Sequence, residues 1–172
     1  MRKVLSCVLL IVLGTLPFFA LTDTWKRHNN SSGNFTVLFP GEPQDSVNKE
    51  GDGIRSHTLM FQDPPHVFTV VYTAMDEEQK VDEATYQIFR NAVFKELPNC
   101  SIGVERTAAP ALAGYVGHWY RLNCDISSTS VTALGNLYWG KHYAYAVMVM
   151  FRSDQAAPQT TDKFLGSFGV LQ

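Results

Sequence analysis

The sequence predicts an α+β fold, in which a predominantly antiparallel β-sheet is flanked by one long central helix and a short C-terminal helix. Short segments with alternating apolar residues recur on both sides of the middle of the chain, as in Asn34 to Phe39, where Phe35, Val37 and Phe39 share one face. Between them, residues 82–97 carry apolar side chains at the three-and-four spacing of an amphipathic helix.

Strands are predicted wherever apolar or β-branched residues alternate between turn-forming residues. In Tyr143 to Phe151 both faces are apolar, which is typical of a strand covered on both sides. A turn at Gly51–Gly53 is expected to join two of the strands as a hairpin. The predicted strands are 34–39, 45–50, 54–62, 66–73, 101–107, 115–124, 130–139 and 142–151.

The predicted central helix begins after Asp82, which is a favourable N-cap residue, and ends before Pro98. Its apolar stripe is expected to consist of Val81, Ala84, Ile88, Phe89, Ala92, Val93 and Leu97. The short C-terminal helix is predicted within 161–168, where Phe164, Leu165 and Phe168 have helical spacing.

The N-terminus has the pattern of a secretory signal peptide, residues 1–21, because Arg2 and Lys3 precede the uncharged apolar run Val4 to Leu21. We expect cleavage after Ala20. An uncleaved anchor is the alternative, since this run is just long enough to span a bilayer. Residues 22–33 then form a polar tether, and residues 34–172 form one exported domain that is periplasmic, bound to the cell envelope or secreted.

Composition limits the classes of partner. Of the residues, 45% are hydrophobic and 17% are charged, as in globular proteins. Without the two positive charges of the leader, the net charge changes from −2 to −4. This balance argues against nucleic-acid binding, and the scattered Lys and Arg residues form no polybasic membrane patch. Membrane contact is therefore expected only through an uncleaved N-terminal segment.

Two cysteines remain after Cys7 is assigned to the leader, and we expect a disulfide between Cys100 and Cys124. If 101–107 pairs with 117–123 as an antiparallel hairpin about Leu112, the two cysteines lie directly opposite each other. Such a bridge would stabilise the fold by roughly 3 to 4 kcal/mol in the chain-entropy description. Two buried free thiols are the alternative.

The most specific motifs of the sequence are the block Phe35-Thr36-Val37-Leu38-Phe39-Pro40-Gly41-Glu42-Pro43 and the ending Phe164-x-x-Ser167-Phe168. Together with the order of predicted elements over residues 34–170, they resemble the PsbP-like superfamily of exported bacterial domains, in particular its members with an F-x-V-x-F-P-G-x-P block. The resemblance implies an α/β/α sandwich that serves as a binding or accessory module. It transfers no photosystem role and no functional or metal-binding residue to this chain.

No catalytic, cofactor-binding or metal-binding residue is predicted, because the sequence has no G-x-S-x-G, H-E-x-x-H, phosphate-loop or C-x-x-C motif. His57 and His66, facing each other across the turn at 63–65, would be the best placed metal pair. His118 alternates with Tyr120 and Leu122, which favours a half-buried, hydrogen-bonded histidine over a ligand. The acidic run 76–78 is interpreted as a solvated loop.

Aromatic residues converge at the predicted hairpin around Gly140. Those that could form a partner surface are Trp119, Tyr138, Trp139 and Tyr143, with Tyr120 and Tyr145 nearby. Core packing is the competing interpretation.

The sequence therefore favours a non-enzymatic exported binding or accessory domain of the cell envelope or periplasm, whose partner is an unknown protein or small ligand. One alternative is a hydrolase with a site of dispersed His, Asp and Ser residues, which a cleft holding a histidine near a carboxylate and a hydroxyl would favour. The other alternative is a His-based metal-binding domain.

Overall fold

The computed structural model describes residues 25–171 except 50–54, 96, 98, 108 and 127. The predicted leader, its cleavage site after Ala20 and the predicted turn at Gly51–Gly53 lie outside these residues.

The described chain forms ten strands and two short helices. None of its helices is long and apolar enough to cross a membrane. In chain order the elements are β1 Lys26–Asn30, β2 Phe35–Phe39, β3 Gln44–Lys49, β4 Arg55–Asp63, β5 His66–Ala74, α1 Glu83–Lys95, β6 Cys100–Arg106, β7 Val116–Ile126, β8 Thr129–Trp139, β9 Tyr143–Arg152, α2 Thr161–Gly166 and β10 Gly169–Val170.

Seven strands form the main sheet, in the order β3-β4-β5-β9-β8-β7-β6. Every neighbouring pair in it is antiparallel, including the predicted hairpin of β3 and β4. A second, three-stranded sheet has the order β1-β2-β10 and is also antiparallel. Strand β1 lies inside the segment 22–33 that the sequence suggests as a polar tether.

The main sheet separates two apolar cores, because successive residues of a strand point to opposite faces. The first core lies between the main sheet, the second sheet and α2, and includes Phe35, Val37 and Phe39, which are fully buried. The second core lies under α1, where Tyr86 packs with side chains of β7 and β8. Strand β8 contributes to both cores, with Tyr138 in the first and its neighbour Leu137 in the second.

The predicted fold class is wrong. The central helix is shorter than the expected 82–97, and the structure is 53% strand against 14% helix, so this is a mostly antiparallel β fold in two sheets and not a helix-flanked α/β/α sandwich. The second sheet accounts for much of the error. Strand β1 (KRHNN) has no apolar alternation, because it is an edge strand bound mainly through its backbone pairing with β2.

The predicted apolar stripe of α1 is also wrong in part. Ile88 is 71% exposed, and Ala84 and Ala92 are exposed as well. The helix instead buries Tyr86, whose hydroxyl finds a hydrogen-bond partner in Tyr120, 2.8 Å away. A buried tyrosine whose hydroxyl is hydrogen-bonded brings more apolar area into the core than an isoleucine. The helix therefore turns its Tyr86 side towards the sheet and not the side that carries Ile88.

The helix start is confirmed at atomic detail. The Asp82 carboxylate accepts a hydrogen bond from the Thr85 backbone N–H at 2.8 Å, as an N-cap residue does.

The predicted disulfide between Cys100 and Cys124 is present. It joins β6 to β7 at the register position where the two residues face each other, as the hairpin about Leu112 requires. The pairing shifts once, between Ile102 and Val104, where a β-bulge inserts Gly103.

Candidate functional site

A pocket of about 310 Å³ opens where the connection between β6 and β7 passes the start of α1. We call it the strand-end pocket. The side chains that matter for its chemistry are Glu83 of α1, His118 of β7, Tyr138 of β8, and Thr107, Ala111 and Tyr115 of the connection.

The aromatic walls of the strand-end pocket are fixed by hydrogen bonds. The Tyr138 hydroxyl donates to the Pro110 carbonyl at 3.2 Å, which ties the connection to β8. The Tyr115 hydroxyl lies 3.4 Å from that of Tyr145, which in turn donates to the Gly33 carbonyl at 2.8 Å. The Tyr115 ring lies directly over Gly140, where the Cβ of any other residue would collide with it. Burial raises the pKa of Tyr138 to about 12, so its hydroxyl remains a donor at neutral pH.

His118 lies at the base of the strand-end pocket and is only 3% exposed. Its Nδ1 lies 2.9 Å from Oε1 of Glu105, and its Nε2 lies 3.3 Å from Oε2 of Glu83. The imidazole is therefore held between two carboxylates, one on β6 and one on α1.

Glu105 is the centre of a hydrogen-bond network beneath the strand-end pocket. Besides contacting His118, its carboxylate accepts a hydrogen bond from the Tyr120 hydroxyl at 2.8 Å and one from Nη2 of Arg90 at 2.6 Å. Nε of Arg90 donates to the Tyr120 oxygen at 3.2 Å, and the Tyr86 hydroxyl lies 2.8 Å from the same oxygen. Since Tyr120 donates its own proton to Glu105, Tyr86 donates to Tyr120. We call these five residues the Glu105 network.

The network keeps Glu105 ionised. Partial burial by itself would raise the pKa of Glu105, but hydrogen bonds from His118, Arg90 and Tyr120 together outweigh it and hold the pKa below its usual value. Burial raises the pKa of Tyr120 to about 12, and burial together with the hydrogen bond to Tyr120 raises that of Tyr86 further. Both tyrosines therefore stay neutral, and Glu105 and Arg90 carry opposite charges within the network.

Both ring nitrogens of His118 are engaged by carboxylates, Nδ1 by Glu105 and Nε2 by Glu83. A neutral imidazole has one N–H and can donate to one of them, whereas an imidazolium can donate to both. The contact with Glu83 is the one that borders the strand-end pocket, because Glu83 and His118 both line it.

The four aromatic residues predicted as a partner surface are distributed over both faces of the main sheet. Tyr138 borders the strand-end pocket. Trp139 lies on the helix side, where its ring packs 4.9 Å from that of Phe89 and its Nε1–H donates to the Lys80 carbonyl.

Tyr143 is stacked on Tyr145 at 6.0 Å. Trp119 faces away from the helix, with the guanidinium of Arg106 over its ring at 4.9 Å. As a partner surface, the four residues remain a prediction.

The histidines suggested as a metal pair do not meet. His57 pairs with Tyr72 and stacks on its ring at 4.7 Å, whereas His66 pairs with Asp63. Six register positions separate the two, roughly 20 Å along the strands, so the expected approach across the turn is wrong. Within the described residues, no group of three or more His, Cys, Asp or Glu residues is arranged to hold a metal ion.

The acidic run 76–78 is exposed, as the solvated-loop interpretation expects. In it, Glu78 forms an ion pair with Lys141, and its Oε1 lies 4.0 Å from Nε2 of His142.

Sequence reasoning missed Glu105 because of the bulge at Gly103, and with it the partner of Arg90. Strict alternation from Cys100 and Ile102 would place Val104 on the helix side. The inserted residue reverses this, so Glu105 faces α1 opposite Tyr120, and Val104 faces the other side opposite Arg121. A glycine inside a strand pattern was the available signal for such a bulge.

The sequence matches no protein-family model and no curated protein. The resemblance to the PsbP-like superfamily remains a prediction.

Proposed function

We propose that this chain is an exported ligand-binding domain and that the strand-end pocket is its binding site. The observation that carries the proposal is a pocket of about 310 Å³ with a buried histidine and a carboxylate at its base. Its volume lies at the lower end of the roughly 300 to 1,000 Å³ that is usual for small-molecule sites, and a few convergent polar groups beside aromatic walls are typical of them.

The Glu105 network supports this proposal because it fixes the histidine in advance. Binding a ligand costs less free energy when the protein groups that meet it are already held in place. His118 is held through Nδ1 by Glu105, which is itself held by Arg90 and Tyr120. The network contacts the imidazole on its Nδ1 side, and Nε2 is directed at Glu83, which lines the pocket.

Export is supported by two independent features. The leader pattern at residues 1–21 predicts it, and the Cys100–Cys124 disulfide is typical of proteins that fold in an oxidising compartment. Whether the leader is cleaved after Ala20 or retained as an anchor decides between a diffusing and a tethered binding domain. N-terminal sequencing of the protein expressed with its own leader distinguishes the two.

Filling the pocket tests the binding proposal. Ala111 lines the strand-end pocket and Ala113 does not, although both are exposed residues of the same connection. Fragments that bind the wild-type protein in a ligand-observed NMR screen should lose binding in Ala111→Trp and keep it in the matched control Ala113→Trp. Fragment binding that is equal in both variants would place the site elsewhere.

A second candidate function is general acid–base catalysis by His118. A histidine oriented through Nδ1 by a carboxylate is an arrangement that enzymes use for proton transfer, and a substrate at Nε2 of His118 would take the place of its contact with Glu83. Thr107, Tyr115 and Tyr138 bring hydroxyls to the pocket, whereas serine and cysteine do not occur among its described lining residues. The base would therefore act on water or on a substrate proton.

Turnover of an ester, amide and phosphoester panel, compared between wild type and His118→Gln, tests this candidate. Catalysis at this site requires a loss of about 100-fold or more in the variant. Equal rates would remove the enzyme candidate and leave the binding proposal intact.

A further inference from the structure

We infer that the outer face of the β6–β7 hairpin, which points away from α1, docks an extended acidic segment of a partner protein. We call this surface the arginine face and define it by four residues: Val104, Arg106, Trp119 and Arg121. None of the four lines the strand-end pocket, so the inference goes beyond the proposed ligand site and does not depend on it.

The β-bulge in β6 brings the two arginines of this face together. Strict alternation from Ile102 would direct Val104 and Arg106 towards α1. The register shift turns both to the opposite side, where Val104 lies opposite Arg121. Arg106 lies opposite Trp119 and is therefore the diagonal neighbour of Arg121. Bulges commonly redirect a side chain next to a functional site, which is what this one does for Arg106.

The positive charge of the arginine face is not balanced within the described part of the chain. Arg90 and Arg152 each pair with a carboxylate. Arg106 and Arg121 are exposed, and neither forms an ion pair with a described residue. Glu105, the neighbour of Arg106 in β6, is directed to the other side of the sheet, where it contacts His118. Two guanidiniums are thus available to carboxylates from outside.

Trp119 positions one of the guanidiniums and adds apolar area. The guanidinium carbon of Arg106 lies 4.9 Å from the centre of the Trp119 ring. A guanidinium that is already held in place costs less to order when a partner binds. Val104, beside them, is 40% exposed. Tryptophan and arginine are the residues most enriched among the hot spots of protein interfaces. Because Arg106 covers a face of the Trp119 ring, the site is less suited to a sugar, which needs that face for stacking.

The spacing of the two arginines fits an extended peptide. Diagonal neighbours in an antiparallel pair lie about 7 to 8 Å apart. Alternate residues of an extended chain point to the same side and are about 7 Å apart. Acidic side chains at alternate positions of a partner segment can therefore meet Arg106 and Arg121 together. Each guanidinium can hold a carboxylate through two parallel N–H bonds.

NMR titration of the full chain with three probes tests this inference. The probes are a pentapeptide in which glutamate alternates with leucine, the same peptide with glutamine in place of glutamate, and a galacturonate oligomer. We expect the glutamate peptide to bind at least about fivefold more tightly than the glutamine peptide, with the largest shifts at the indole N–H of Trp119 and in 104–106 and 119–121. Equal affinities of the two peptides, or shifts that spare these residues, would overturn the inference. Tighter binding of the galacturonate oligomer than of the glutamate peptide would also overturn it, because the face would then belong to an acidic polysaccharide.

Removing the two guanidiniums tests whether they carry the preference for acidic peptides. Arg106→Gln and Arg121→Gln should each weaken binding of the glutamate peptide by about twofold to fivefold, as exposed ion pairs do. In the double variant the two peptides should bind equally. Arg27 is an exposed arginine of β1, and the matched control Arg27→Gln should leave binding unchanged. A preference for the glutamate peptide that survives in the double variant would contradict the inference.

Discussion

Replacing Glu105 by glutamine tests whether the network beneath the strand-end pocket holds this part of the fold together. Glutamine keeps the shape of the side chain and one acceptor oxygen, so no cavity is created. It removes the charge that Arg90 faces at 2.6 Å and weakens the hydrogen bonds from His118 and Tyr120.

The expected loss follows from burial. Hydrogen bonds to charged groups contribute about 1.5 to 3 kcal/mol each, and breaking a buried ion pair costs about 3 to 5 kcal/mol. The side chains of Arg90 and Glu105 are 19% and 27% exposed, so water partly screens the pair. We therefore expect Glu105→Gln to lower the free energy of unfolding by about 2 to 4 kcal/mol.

Urea unfolding followed by circular dichroism measures this loss, with the exposed Glu77→Gln as the control, expected within about 0.5 kcal/mol of wild type. Because the pKa of Glu105 is lowered in the folded state, its contribution is fully present above its ordinary value of 4.5 and disappears as the pH falls through the folded pKa. The difference between wild type and variant should therefore shrink as the pH falls from 5 towards 3. A difference below about 0.5 kcal/mol at pH 7, or one that grows in acid, would refute this reasoning.

Three further substitutions test the packing. Replacing both Cys100 and Cys124 by alanine should lower the free energy of unfolding by about 3 to 4 kcal/mol in denaturant titrations, and an unchanged midpoint would show that the bridge does not constrain the unfolded chain. Asn136→Leu should stabilise the fold by about 1 to 2 kcal/mol, because the buried amide of Asn136 has no hydrogen-bond partner among the described residues, and a lower melting temperature would contradict this. Ile88→Lys should change stability by less than about 0.5 kcal/mol in the same assay, since this side chain is 71% exposed, whereas a loss of about 2 kcal/mol or more would place Ile88 in the core.

Several strands could be predicted because apolar residues alternate along them or cover both of their faces. In β2 of the second sheet, Phe35, Val37 and Phe39 are fully buried, as their spacing predicts, and in β9 of the main sheet the run Tyr143 to Phe151 contributes to both cores. The Cys100–Cys124 disulfide followed from the cysteine pair that remains beyond the predicted leader, together with the register of the predicted hairpin. In each case the signal is local and repeats with a period of two residues.

Strand β1 of the second sheet and the orientation of α1 could not be predicted in this way. Backbone pairing holds β1 to β2, and its polar side chains carry no periodic pattern. In α1, Ile88 and Tyr86 are both compatible with a buried face, and the choice depends on whether a partner such as Tyr120 is present in the opposite layer. Because this choice depends on tertiary contacts, the face of a helix that is buried can differ from the apolar stripe that the sequence suggests.

The candidate site was only partly accessible from the sequence. Of the residues singled out from the sequence, Tyr138 and His118 line the strand-end pocket. The predicted hydrogen bonding of His118 is observed, although the side chain is more buried than expected. The partners Glu83 and Glu105 come from a helix and from a bulged strand distant in sequence. The approach of Glu105 to the imidazole depends on the bulge at Gly103, which alternation cannot reveal.

Crystallographic fragment soaking tests the central claim, ligand binding at the strand-end pocket, most directly. The claim predicts fragment density in this pocket, with a polar atom within hydrogen-bond distance of Nε2 of His118 or of the Glu83 carboxylate. Fragments that gather instead on the opposite face, around Trp119 and Arg106, while the pocket binds none, would contradict it.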